Sequence, residues 1–330
     1  MTMQGMRVCW PERGKAILES FEVREPGSGE VLVRSEVTLI SPGTERAFFL
    51  GLPNAQGRFP SYPGYSHVGR VLRAGAGVEG IPEGARVVSG GGHASCVTVR
   101  ADRCVVAPEE GDPKHAVFHS LGAIALQGVR KSRVELGEAA ATLGLGLVGS
   151  LALQLTRLQG ALPAVGLDLD PGRRDLAVRC GADLALDPSG EAGLEAARAA
   201  CGGSGPAVVI EATGFPEAVN VAFALAGNAG RVVLLASTRG VTETNFYQHI
   251  HKKGLIVHGA HNSARPARES SAAYWTLADD TRTVLRLLAA GRLQVEPYIS
   301  EVFPAAEAAR AYEVLGSWRK DLLGMVLDWR

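Results

Sequence analysis

A chain of 330 residues, 46% hydrophobic and 21% charged, can bury two ordinary cores, which excludes an intrinsically disordered protein. Its 34 basic and 34 acidic side chains cancel, so no net field draws it to nucleic acid or to an anionic membrane, and a small molecule is the expected partner. The N-terminus has no signal-like apolar core and no later run approaches the roughly 18 apolar residues of a membrane span, so a cytoplasmic location is expected. The five cysteines, Cys9, Cys96, Cys104, Cys180 and Cys201, contain no C-x-x-C pair and read as reduced, buried thiols. Cys96 and Cys104 have no further Cys or His at the spacing that would complete a structural zinc site.

Residues 31–40, VLVRSEVTLI, alternate apolar and polar before a Ser-Pro-Gly break, and residues 85–107 carry two more short β-branched runs around a glycine cluster. The first third is therefore β-rich. From Ala139 onward, short continuous apolar runs (AATL, PAVGLD, AVVIEATG, RVVLLAS) alternate with helical patterns, which predicts a parallel sheet with helices on both faces. That alternation stops after GLIVHGA at 254–260, and a helix over 279–291 and a closing strand over 324–329 follow. No low-complexity linker or repeat separates the parts, so one domain is expected to be inserted in the other: 122–261 within 1–121 and 262–330.

The first of those runs enters Gly144-x-Gly146-x-x-Gly149, whose intervening Leu147 and Val148 are expected at the cofactor with the glycines, and then a long apolar-patterned helix, SLALQLTRLQG. Gly144 suits the tight turn, Gly146 the approach of a pyrophosphate, and Gly149 close helix-strand packing. The next run ends on Asp168, where an acid would hydrogen-bond the adenosine ribose and repel a 2′-phosphate, so NAD is the expected cofactor. A solvated loop acid or helix cap is the alternative, although Asp170 before Pro171 is the better cap. Arg173 lies over the adenine, near the phosphate, or on an exposed helix face.

Taken together, GSGEVLVRSEVTLISPGTE, YPGYSHVGRVLRAGAGV, HASCVTVRADRCVVAP, LGAIALQGVRKS and the later strands resemble, in order, the blocks of the medium-chain dehydrogenase/reductase superfamily, zinc-type alcohol dehydrogenase-like. The resemblance implies a Rossmann doubly wound α/β sheet inserted in a β-rich GroES-like catalytic domain, hydride transfer in the cleft between them, and a homodimer with GLIVHGA at the edge of the Rossmann sheet. It also brings Thr213, Gly214 and Gly259 to the cofactor. In zinc-dependent members a Cys, a His with its neighbouring Glu, and a Cys or Glu before the domain-entry helix surround the metal. The matching positions here hold Pro42, Tyr65 with Ser66, and Ser120. A proline and neutral hydroxyls are poor zinc ligands, so the resemblance is to a zinc-free branch.

Without that Lewis acid, the charge developing on an alkoxide needs hydrogen-bond donors. Thr44 stands where zinc alcohol dehydrogenases place the hydroxyl that contacts the substrate oxygen, and Tyr65 replaces the metal-binding His; a plug in the vacated pocket is the plainer reading of Tyr65. His119, beside Ser120, is a further acid-base candidate, while His67 reads as a core or surface residue. Glu45 either orients Tyr65 or pairs with an arginine. The pairing of SPGTE with a metal-free PGY is similar to a branch that includes bacteriochlorophyllide hydroxyethyl dehydrogenases. The expected activity is zinc-independent, NAD-dependent oxidation of a secondary alcohol, or reduction of the ketone, on a bulky substrate. The alternatives are an enoyl or quinone reductase and a non-catalytic dinucleotide-binding protein.

Overall fold

The computed structural model describes residues 3–317 and 319–330. They divide into two compact units, one made of the described residues of Met1–Ser120 with Thr281–Arg330, the other Leu121–Asp280.

In the first unit, Gln4–Glu12 (β1) and Lys15–Glu22 (β2) form an antiparallel ribbon. Glu30–Ile40 (β3) is the long central strand. Its alternation does not separate core from solvent at its start: Val31 and Val33 pack with Val71, Val87 and Cys104, while Leu32 packs on the other side with Val23 and Cys96. Both faces are covered, so consecutive residues are buried. Helix α1 (Pro42–Phe49) follows directly; Pro42 occupies its first turn, where the missing N–H costs no hydrogen bond. The strands His67–Ala74 (β4), Arg86–Ser89 (β5), Cys96–Arg100 (β6) and Val105–Val106 (β7) and a short helix, Pro113–Ala116 (α2), lead to His119–Ser132 (α3), within which the chain passes to the second unit.

The second unit alternates strand and helix: Ala140–Leu143 (β8), Leu147–Gln159 (α4), Ala164–Leu167 (β9), Pro171–Arg179 (α5), Leu184–Leu186 (β10), Gly190–Ala200 (α6), Val208–Glu211 (β11), Pro216–Leu225 (α7), Arg231–Leu234 (β12) and Ile256–Gly259 (β13). All six strands run parallel in the order β10-β9-β8-β11-β12-β13. Every residue of β8, β9 and β11 is buried, which is why these strands read as unbroken apolar runs. The order reverses between β8 and β11, and the crevice at that switch point is where such sheets hold ligands. As the resemblance implies, β13 is an edge strand, with Ile256 and Val257 exposed.

Helix Leu277–Ala289 (α8) carries the chain back, and Ile299–Pro304 (β14), Ala308–Gly316 (α9) and Gly324–Asp328 (β15) complete the first unit's sheet, β14-β15-β3-β4-β5-β7, with β6 on β3. A core of Val8, Trp10, Ile40, Phe49, Tyr312 and Met325 lies where α9 covers this part of the unit. The second compact unit runs to Asp280. Asp280 is fully buried and receives Arg130 (2.7 Å) and Arg265, and Arg265 also donates to the Ala123 carbonyl. That ion triad ties 262–280 to α3, a tertiary link that no hydropathy pattern reports. All five cysteines are free and buried, and burial pushes the Cys104 thiol up to about 12 and Cys201 to about 11. Among the described residues no helix is long and apolar enough to cross a membrane.

Candidate functional site

The glycine loop joins β8 to α4. Gly144 has φ +91°, and a Cβ there would lie 2.8 Å from the Thr213 methyl. A Cβ at Gly149 would lie 1.9 Å from the Gly144 carbonyl oxygen, so this glycine lets the helix close on the strand. Gly146 is the N-cap of α4, and a Cβ there would meet nothing within 4 Å. The two outer glycines are required by the protein's own packing, and the middle one leaves open space at the start of a helix whose first turn is Leu147 and Val148.

Asp168 sits beyond the tip of β9 and accepts from the Leu145 N–H (2.7 Å) and the Asp170 N–H (2.9 Å), which fixes its carboxylate against the loop. Asp170 caps α5 by accepting from the Arg173 N–H at 3.0 Å, the role expected of it. The Arg173 guanidinium lies 3.8 Å from Asp168, beside the acid. At the end of β11, Thr213 donates through its N–H (2.7 Å) and its hydroxyl to the buried Glu211, whose carboxyl is held above its ordinary value by burial. Gly214 follows with φ +79°, and the Gly259 carbonyl accepts from Lys131 Nζ at 2.7 Å. The cofactor residues named from the sequence thus all lie at the C-terminal ends of β8, β9, β11 and β13 or on the helix turns that follow them. Open space at a helix N-terminus and a carboxylate fixed beside the loop suit a dinucleotide.

In the first unit, Thr44 and Tyr65 line one cavity of about 280 Å³. Its walls are aromatic, with Trp10, Phe48 and Tyr62 beside Tyr65, and Glu45 and Arg58 are its charged residues. Glu45 is buried and accepts from the Ser41 N–H (2.8 Å), His93 Nε2 (3.0 Å) and the Tyr312 hydroxyl. Two donors from remote parts of the chain therefore hold the acid. On the far side of His93, Nδ1 lies 2.7 Å from the Thr38 hydroxyl, which accepts from Trp329 Nε1 at 3.0 Å. Burial, the Glu45 charge and the hydrogen bond to it keep the Tyr312 phenol protonated, with its pKa well above the ordinary value. The sequence reading missed His93 and Tyr312; the one signal for His93 was a histidine placed directly after the glycine cluster.

His119 is not among the residues that line the cavity. It is buried, and neither ring nitrogen has a hydrogen-bond partner among the described residues. Burial pulls its pKa down to about 4; the backbone of His67 and Ser89 pulls weakly the other way without closing a hydrogen bond. His67 is fully buried between Ser35 (3.0 Å) and Ser89 (2.9 Å). Since the Ser35 hydroxyl donates to the Ala94 carbonyl, it accepts from His67 Nε2–H, and Nδ1 accepts from Ser89. Burial first, then the charges His119 and His93 would carry, lower His67 to about 3. Both rings are neutral at neutral pH, so neither is a ready proton donor there.

The positions that would carry a catalytic zinc do not fit one. Pro42 lies in the first turn of α1, Ser66 is buried with its hydroxyl unpartnered, and Ser120 is buried at the start of α3. Among the described residues no three His, Cys, Asp or Glu side chains gather as a metal would require.

Residues 148–278 match the family profile described as zinc-binding dehydrogenase. Over 325 residues the chain is 28% identical to L-threonine 3-dehydrogenase of Pyrococcus furiosus, covering 89% of each protein. It is also 28% identical over 324 residues to 2-desacetyl-2-hydroxyethyl bacteriochlorophyllide A dehydrogenase of Rhodobacter capsulatus, covering 93% of this chain and 92% of that one. A crystal structure from Sinorhizobium meliloti, described as a zinc-binding dehydrogenase bound to NADP, superposes with a TM-score of 0.85 at 25% identity over 99% of both chains.

Proposed function

We propose, for a chain that belongs to the medium-chain, zinc-type alcohol dehydrogenase-like superfamily, a zinc-independent oxidoreductase that interconverts a secondary alcohol and its ketone with NAD(H). The observation that carries this reading is the shared cavity of Thr44 and Tyr65, at positions where the superfamily resemblance places the metal and its substrate. When bound, the nicotinamide supplies or accepts the hydride; the loop Gly144–Gly149, Asp168 and Thr213 would hold the dinucleotide. Asp168 favours NAD over NADP, since a carboxylate fixed at the ribose repels a 2′-phosphate.

In the reduction direction the neutral Tyr65 phenol donates a proton to the forming alkoxide while the Thr44 hydroxyl steadies that oxygen. A phenol, with ordinary pKa about 10, does this more easily than it abstracts a proton at neutral pH. The relatives named above are dehydrogenases of L-threonine and of a hydroxyethyl bacteriochlorophyllide, in keeping with alcohol chemistry here. The test is Tyr65→Phe, which keeps the ring. It should lower kcat by roughly a hundredfold while leaving NADH affinity and thermal stability near wild type. Elemental analysis of the protein purified without added metal should find well under one zinc per chain. Full turnover by the variant, or stoichiometric zinc at the Tyr65 wall, would overturn the proposal.

A further inference from the structure

We infer that the cavity takes an anionic substrate with a flat, apolar body: an aryl ketone or alcohol that also bears a carboxylate. The inference rests on reading the cavity as the substrate pocket and adds the class of molecule it selects. The argument is a census of polar groups. Glu45, the cavity's acid, already receives a backbone N–H, an imidazole N–H and a phenol hydroxyl, so it has little accepting capacity left for a ligand. What remains is a surplus of donors. Arg58 is among the residues that line the cavity, is exposed, and has no ion pair or hydrogen bond among the described residues. Trp10, also lining it, is 4% exposed and carries an indole N–H with no acceptor among the described residues. The Thr44 hydroxyl is likewise without a partner among the described residues.

Of these donors only the Trp10 N–H is buried, where a ligand acceptor would relieve the cost of an unmade hydrogen bond; Arg58 is exposed and acts as a cation at the rim that attracts an anion. One acceptor is the ketone oxygen that Thr44 meets; the other must match a guanidinium, for which a carboxylate is the two-pronged complement. The rest of the wall, with Phe48, Tyr62 and Tyr65, is aromatic and suits a planar body. A cationic substrate would face Arg58 with no free acid to offset it. A polyhydroxylated sugar would need acceptors as well as donors, and the cavity's one carboxylate is already taken.

The experiment is calorimetric titration of the purified full chain, without cofactor, with 6-acetyl-2-naphthoate, its methyl ester and 2-acetylnaphthalene. The acid should bind at least tenfold more tightly than either neutral probe, and Arg58→Gln should remove most of that margin while leaving the neutral probes unchanged. Added salt should shrink the margin too, because Arg58 is exposed. Equal affinities for acid and ester, a margin that survives Arg58→Gln, or no binding by any of the three would overturn the inference. Turnover is a separate readout: acid-selective binding with no reduction of the bound ketone by NADH or NADPH would defeat the proposed activity and leave the selectivity standing.

Discussion

Lowering the pH should destabilise this protein through two particular buried rings. His67 and His119 titrate at about 3 and about 4 in the folded chain against an ordinary 6.5. Their folded values are depressed, so the unfolded state binds more protons between these limits and stability falls as pH drops below about 6.5. Integrating from about pH 7 to about pH 5 costs roughly 2 kcal/mol for each ring, about 4 kcal/mol together, a large part of a typical domain's stability. His119→Leu removes one ring and two unpartnered nitrogens at similar volume. The variant should be at least as stable as wild type near pH 7 and lose roughly 2 kcal/mol less on going to about pH 5. Urea denaturation of both proteins at the two pH values, followed by circular dichroism, measures this, and kcat near pH 7 should change little because His119 does not line the cavity. An unchanged pH dependence in the variant would show that His119 is not held neutral by burial. A collapse of kcat with stability intact would return it to the proton-transfer chemistry.

Gly146→Val should leave the urea midpoint close to wild type, because the space at that position is open, yet abolish dinucleotide binding measured by NADH fluorescence. Gly149→Ala should lower stability by about 1–3 kcal/mol or prevent folding, since its Cβ would lie 1.9 Å from the Gly144 carbonyl oxygen. Asp168→Ser should narrow an NAD over NADP preference expected to be at least about tenfold, with Kd for both cofactors as the readout. Tyr312→Phe should cost roughly 1.5–3 kcal/mol in thermal or urea unfolding by removing a buried hydrogen bond to the Glu45 carboxylate, whereas its neighbour Trp10 keeps the aromatic packing.

The sequence was informative wherever the physics is local. Gly144 and Gly149 read correctly because a turn and a close helix-strand contact each demand a small residue within a few positions. Asp170 before Pro171 read correctly as a cap because capping spans three residues. The parallel sheet was legible in its unbroken apolar runs, since strands covered on both faces have no polar side. The substrate wall was legible only in part. Thr44 and Tyr65 could be placed on one cavity by resemblance, but the partners of Glu45 could not. His93 is 48 residues away from it and is set by backbone bonds to Pro63 and Val8, while Tyr312 is 267 away and arrives only through the packing of α9. The same distinction explains His119. Its residue type and its place at the start of α3 suggested an acid-base group, while its depressed pKa comes from burial near His67, from an element more than fifty residues earlier. The boundary at Asp280 follows the same rule, because a buried acid shared by Arg130 and Arg265 has no sequence period. Periodicity and turn chemistry are encoded along the chain; desolvation and long-range hydrogen bonds exist only once the chain has folded.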